Sequence, residues 1–166
     1  SKDISSLYEN GATAITGEDL RWLRCDIKSL NLLYNIMMKQ KAYDQGAFET
    51  ILIRDEVVTE GTSSNVFMIK DNVIYTHPAN NLILNGITRM ELLSLFKKEN
   101  WSYKEEAFSI QQLMQADEVF TTSTTTEVVP IVSLDGNQVG DGKPGKFTKQ
   151  IHHALKEVIN KSQIHY

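Results

Sequence analysis

Two β-rich runs, Asn65 to Lys70 and Val73 to His77, are separated only by Asp71 and Asn72. Both intervening residues tolerate left-handed backbone, so the spacing predicts a tight antiparallel hairpin. The rest of the chain surrounds that pair with a mixed pattern. Phe48 to Ile53, Glu118 to Thr121 and Glu127 to Ser133 also read as strands, the last ending in the turn Asp135-Gly136. Three stretches carry helical periodicity instead. From about Ser29 to Tyr43, Leu32, Leu33, Ile36 and Met37 make a broad apolar face, and Gly46 follows as a stop. From Thr88 to about Lys98, Met90, Leu93 and Phe96 share a side, and Thr88 and Glu91 have the spacing of a capping box. From about Lys146 to Asn160, Phe147, Ile151, Ala154, Leu155 and Val158 share another. Strands with helices between them and a closing helix predict a mixed α/β domain.

A chain of 166 residues can bury one sizeable core. No repeat, low-complexity segment or Pro/Gly-rich linker divides it, and Ser1 to Asn10 reads as a polar lead-in. The formal charge of −4 provides no basic face for nucleic acid. No apolar run approaches the roughly 18 residues of a membrane span. The single cysteine, Cys25, leaves no internal disulfide to form and fits a reducing cytoplasm. Its plainest reading is a small buried hydrophobe.

Several residues could do chemistry. Lys28 stands where an extended stretch, Arg21-Trp22-Leu23-Arg24-Cys25-Asp26-Ile27, meets the first helix. A lysine amine is protonated at neutral pH unless desolvated or set near other positive charge, and Arg21 and Arg24 are close in sequence. Read alone, Lys28 is better taken as a solvated lysine at a helix start. Glu60, in Thr59-Glu60-Gly61-Thr62-Ser63-Ser64-Asn65, reads alone as a surface glutamate in a turn. Gly86-Ile87-Thr88-Arg89 opens a helix whose free N–H groups suit an anion, although a capping threonine explains Thr88 as well. Thr121 to Thr126 is an unbroken hydroxyl run between two strands. His77 beside Pro78 reads as a turn histidine, and His152 and His153 as helix residues mostly on its polar side, without a metal-ligand set. Asp117 and Glu118 read as a solvated strand start.

Taken in order, these segments resemble the cofactor-carrying C-terminal domain of fold-type IV pyridoxal-phosphate enzymes, and most closely the D-amino-acid (D-alanine) aminotransferase branch. The match is carried by Arg21 to Asn31, Val58-Thr59-Glu60-Gly61, Ser63-Ser64-Asn65-Val66-Phe67, Tyr75-Thr76-His77-Pro78-Ala79-Asn80-Asn81, Ile83-Leu84, Gly86-Ile87-Thr88-Arg89 and the hydroxyl run ending at Glu127. Branched-chain aminotransferases of this type usually carry a proline before that glycine; here Asn85 stands there. The Arg-Cys-Asp-Ile-Lys-Ser context likewise speaks against a branched-chain L-amino-acid aminotransferase and an aminodeoxychorismate lyase. A non-catalytic folding or dimerisation module is the alternative of another class.

The resemblance implies a strongly curved, barrel-like mixed sheet, a cofactor domain over residues 17–166, and a lead-in at 1–16 from an upstream domain. It implies pyridoxal 5′-phosphate as cofactor and transamination between D-amino acids and 2-oxo acids such as 2-oxoglutarate in a cytoplasmic homodimer. It makes Lys28 the Schiff-base lysine and proton carrier, and Glu60 the partner of the pyridine nitrogen. Leu84 would pack on the cofactor ring, although a core leucine is nearly as good a reading. Ile87 would reach the phosphate through its N–H, and Thr88 through N–H and hydroxyl. Ser123 and Thr124 would be the second hydroxyl pair of that cradle. Asn31 and Asn65 match family positions without an assigned role. The upstream domain would supply a further arginine to the phosphate and the groups that clamp the substrate carboxylate, so this chain alone would be incomplete.

Overall fold

A computed structural model describes residues 3–27 and 32–164. Its centre is a nine-stranded mixed sheet. The strands are β1 (Ala12–Glu18), β2 (Glu49–Arg54), β3 (Val57–Gly61), β4 (Asn65–Lys70), β5 (Val73–Thr76), β6 (Tyr103–Glu105), β7 (Glu118–Ser123), β8 (Glu127–Leu134) and β9 (Asn137–Gln138). They lie in the order β3-β2-β1-β8-β7-β4-β5-β6, with β9 paired to β8. β1 runs parallel to both β2 and β8, and β5 parallel to β6; the remaining pairs are antiparallel. The sheet curls into a half-barrel, as expected from the resemblance.

Apolar side chains on both faces hold this sheet. In β4, Val66 and Met68 join one core cluster while Phe67 and Ile69 join the other, the period of two that a strand imposes. Val119 and Phe120 of β7 divide in the same way. The second cluster is closed by α3 (Ile87–Glu99) and α5 (Lys146–Ile164) through Leu92, Leu95, Phe96, Ile151 and Leu155. The first is closed by α1 (Ile4–Asn10) and α4 (Ile110–Met114), with Leu7 and Leu113. Because both faces are covered, β4 reads as an unbroken apolar run rather than an alternating one.

The expected turns form. Asp71 and Asn72 adopt φ of 50° and 63°, the left-handed pair of the β4–β5 hairpin. Helix α2 (Leu33–Asp44) ends at Gly46, whose φ is 73°. Gly46 N–H donates to the Tyr43 carbonyl and Ala47 N–H to the Ala42 carbonyl, at 2.9 and 2.8 Å, which is the Schellman pattern.

Within residues 1–16 lie α1 and most of β1, a strand with hydrogen-bonded neighbours on both sides whose Ala12 and Ala14 pack inside the sheet. Several expectations are corrected. The apolar stripe of the first helix does not enter the core: Leu32, Leu33, Ile36 and Met37 are 47%, 66%, 62% and 59% exposed. Met90 faces outward, and α3 instead buries Thr88, Arg89, Leu92, Leu95 and Phe96. Glu118 caps another element, its Oε1 accepting from Thr148 N–H in the first turn of α5 at 2.8 Å. A carboxylate there also suits the helix dipole.

Candidate active site

A cavity of about 400 Å³ opens where the segment after β1, the β3–β4 loop, the start of α3 and the end of β7 converge. Glu60 lies on β3 rather than in a loop, and its neighbours aim the carboxylate into this space. Asn65 Nδ2, on the facing end of β4, donates to Glu60 Oε2 at 3.2 Å and to the Leu84 carbonyl at 2.9 Å. Leu84 N–H donates to both carboxylate oxygens, at 3.2 and 3.1 Å. The Leu84 side chain meanwhile lines the cavity at 37% exposure, so the core-leucine alternative does not hold.

Arg21 completes the surroundings of Glu60. Its Nη1 donates to Glu60 Oε1 at 2.7 Å, and its Nε and Nη2 donate to Asp19 at 2.9 Å each. Asp19 also accepts from Thr59 Oγ1 at 2.8 Å and from Arg54 at 3.1 Å. Two carboxylates and two guanidinium groups are thus buried together, in the charge-paired form that such burial requires. Burial is the largest influence on Glu60 and pushes its carboxyl up to about 7, against the pull of Arg21 and the Leu84 N–H. Burial acts the same way on Asp19, but the hydrogen bonds and charge of Arg21, with the Thr59 hydroxyl, overcome it and hold that carboxyl below the ordinary range. For Arg21, burial is outweighed by its two carboxylate partners, which keep it charged.

The loop after Glu60 is built on another buried acid. Glu49 is 1% exposed and accepts from Thr50 N–H at 2.9 Å, Thr62 N–H at 3.2 Å and Ser64 Oγ at 2.9 Å, with the Thr62 hydroxyl as a further donor. Thr62, Ser63 and Ser64 therefore face the cavity from a fixed frame.

The start of α3 lines another part of the same cavity. Its N-cap is Gly86 and no side chain among the described residues caps it, so the expected Thr88–Glu91 capping box is absent. Helical geometry begins at Ile87, which makes Thr88 an interior residue of the first turn and denies it the extended backbone that a cap needs. The Ile87 and Thr88 N–H groups stay free of side-chain caps, the arrangement that binds anions. Gly86 is required by proximity: a Cβ there would stand 2.7 Å from Asn65 Oδ1. Asn85 accepts from Arg89 Nη1 at 2.7 Å, and the buried Arg89 also reaches the His77 carbonyl and Glu105. A proline at position 85 would lack that anchor.

The hydroxyl run contributes Thr122, Ser123 and Thr124 to the lining. Thr122 Oγ1 is buried and has no hydrogen-bond partner among the described residues. Ser123 Oγ is within 2.6 Å of Thr126 Oγ1 and accepts from Thr126 N–H at 3.1 Å, which fixes the turn. Cys25 is buried as read, and it also borders the cavity, its Sγ 3.0 Å from the Trp22 carbonyl.

Of the residues singled out in the sequence, Glu60, Leu84, Ile87, Thr88, Ser123 and Thr124 all line this cavity. Lys28 and Asn31 lie outside the described residues. His77 is buried with Nδ1 2.9 Å from the Pro78 carbonyl, away from the cavity lining. His152 is buried rather than on a polar face, with Nε2 2.7 Å from Glu127 Oε2. Sequence reading overlooked Asp19, Arg54 and Glu49, and gave Arg21 and Asn65 no partner. Arg21 meets Glu60 across a separation of 39 residues, and no local spacing encodes that.

The profile of the family described as amino-transferase class IV matches residues 10–134. The chain belongs to that family. A D-alanine aminotransferase of Bacillus licheniformis is 60% identical over 151 residues, covering 91% of this chain and 53% of the relative. A D-alanine aminotransferase of Staphylococcus haemolyticus is 54% identical, again covering 91% of this chain, and 54% of its own length. The chain thus spans about half the length of the curated relatives it matches. Among solved structures, the branched-chain amino acid aminotransferase of Escherichia coli superposes with a TM-score of 0.82 at 31% identity, over 92% of this chain and 52% of that one. The branched-chain amino acid aminotransferase of Thermoproteus uzoniensis, solved with norvaline, gives 0.82 at 26%, over 92% and 52%.

Proposed function

We propose that this chain is the lysine-bearing part of a D-alanine-type aminotransferase that uses pyridoxal 5′-phosphate to exchange amino groups between D-amino acids and 2-oxo acids such as 2-oxoglutarate. One observation carries the reading: a buried carboxylate and a helix start without a side-chain cap share a single cavity. That donor set fits a flat ring with a basic nitrogen and a phosphate. The Thr122 hydroxyl and the α3 start, both without a side-chain partner among the described residues, and the Gly86 approach agree with it.

When bound, the cofactor supplies an electron sink for negative charge at the substrate Cα. Glu60 holds the proton on the pyridine nitrogen; a positive ring beside it favours the carboxylate that burial alone disfavours. Ile87 and Thr88 N–H groups, the Thr88 hydroxyl, Ser123 and Thr124 bind the phosphate. Leu84 packs on the ring. Lys28, on the strength of its sequence context, would be the covalent anchor and the base that takes and returns the proton at the substrate Cα. The exposed α2 stripe of Leu33, Ile36 and Met37 is surface for the remainder of the enzyme or a second subunit.

The D-alanine assignment leans on relatives at 51–60% identity, whereas the branched-chain structures stand at 26–32%. The test is turnover by the full-length protein with 2-oxoglutarate and either D-alanine or L-leucine. Preferential turnover of D-alanine supports the proposal, and preference for L-leucine replaces it with the branched-chain alternative.

A further inference from the structure

The turn that carries Ser123 and Thr124 is braced from the side away from the cavity. Tyr8, on α1, donates from Oη to the Thr126 carbonyl at 2.8 Å. His152, on α5, stands with Nε2 2.7 Å from Glu127 Oε2. The Tyr8 and His152 rings meet edge to face with centroids 4.3 Å apart, and Lys156 Nζ lies 5.1 Å from the Tyr8 ring centre. Thr126 passes the restraint on, since its N–H and hydroxyl both reach Ser123 Oγ. Two helices far apart in sequence therefore converge on one short turn.

Glu127 adds a second restraint on the same turn. Its φ is 58°, a left-handed conformation that glycine adopts without steric cost and that glutamate resists. Such a residue persists only where its surroundings over-determine it. Here the surroundings are the His152 contact and the register Ser123↔Glu127 that closes the β7–β8 pair. Glutamate accepts the strain and gains a carboxylate long enough to reach α5.

We propose that Tyr8 and His152 are positioning residues for phosphate recognition, holding the Ser123–Thr126 turn so that its hydroxyls and N–H groups face the cavity in one fixed arrangement. The inference rests on the reading of the cavity as a pyridoxal-phosphate site. Neither residue lines the cavity. Their effect is pre-organisation, which saves the ordering that the turn would otherwise undergo on binding.

The experiment compares equilibrium affinities of the full-length protein for pyridoxal 5′-phosphate and for pyridoxal, by spectral titration. Both probes carry the same ring and aldehyde, so the ratio of their affinities reports the phosphate contacts alone. Tyr8→Phe keeps the ring and removes only the hydroxyl; His152→Leu removes the Glu127 contact. Each should lower the phosphate-to-pyridoxal affinity ratio by roughly three- to tenfold, the scale of one hydrogen bond, while pyridoxal affinity stays within about twofold. Equal losses for both probes would reduce the brace to a purely structural role and overturn the proposal. So would an unchanged ratio in Tyr8→Phe, which is the decisive variant if His152→Leu fails to fold. If the unsubstituted protein shows no phosphate advantage, the cavity reading itself fails; an advantage that survives both substitutions removes only the brace.

Discussion

Arg21 and Glu60 meet at 2.7 Å on the cavity wall, with side chains only 8% and 7% exposed. Asp19, its side chain fully buried, holds the guanidinium from the other side. The pair is thus held from two sides by protein groups, and burial brings the Glu60 carboxyl close to its ionisation point near neutral pH.

That position has a measurable consequence. The Glu60 carboxyl rises from 4.5 to about 7 on folding, so its contribution to stability is fully present below pH 4.5 and is lost as pH rises through about 7. The loss should be on the order of 3 kcal/mol for this buried group. Denaturant unfolding at pH 5 and pH 8 should show stability falling with pH in the unsubstituted protein. Glu60→Gln should flatten that dependence. Parallel pH profiles for the two proteins would remove Glu60 as its source.

Covalent attachment gives a direct check on Lys28. Borohydride reduction of the protein mixed with pyridoxal 5′-phosphate should leave the label on the peptide containing Lys28, read by mass spectrometry. Lys28→Ala should lose it. Labelling of a different lysine would reassign the anchor.

Thr88→Ala separates ligand binding from helix capping. A capping threonine is worth about 1 kcal/mol, and Thr88 does not cap α3, so unfolding free energy should change by less than about that amount. Affinity for pyridoxal 5′-phosphate should fall about tenfold or more, with pyridoxal nearly unaffected, because a hydrogen bond to a charged group is lost. A full capping-sized loss of stability with unchanged affinity would reverse the assignment.

Gly86→Ala tests the close approach beside the carboxylate. The new methyl would stand 2.7 Å from Asn65 Oδ1, and Asn65 must turn away from Glu60 and the Leu84 carbonyl to admit it. The expected destabilisation is about 1–3 kcal/mol, the usual cost of overpacking, with weakened cofactor binding. Thermal unfolding and titration measure both, and a neutral result in each would show that Asn65 is not needed where it stands.

Local chemistry alone determined the hairpin at Asp71-Asn72, the Gly46 helix stop, α5 and most strands, because turn propensities and apolar periods act within a few residues. The ordered segments from Arg21 to Thr126 also identified Glu60, Leu84, Ile87, Thr88, Ser123 and Thr124 as candidates, and the fold brings all six to one cavity. What the sequence could not decide was the company these residues keep. Thr88 has the spacing of a capping residue, yet the N-cap is Gly86, two residues earlier, and the threonine is buried in the first turn instead. The stripe of Leu33, Ile36 and Met37 has core periodicity, but the half-barrel packs its own faces with α1, α3, α4 and α5 and leaves that stripe outside. The Asp19–Arg21–Glu60 cluster, the Glu49 frame and the His152–Glu127 contact join strands and helices distant in sequence. Only the curl of the sheet sets those distances, since buried charges find partners through space rather than along the chain.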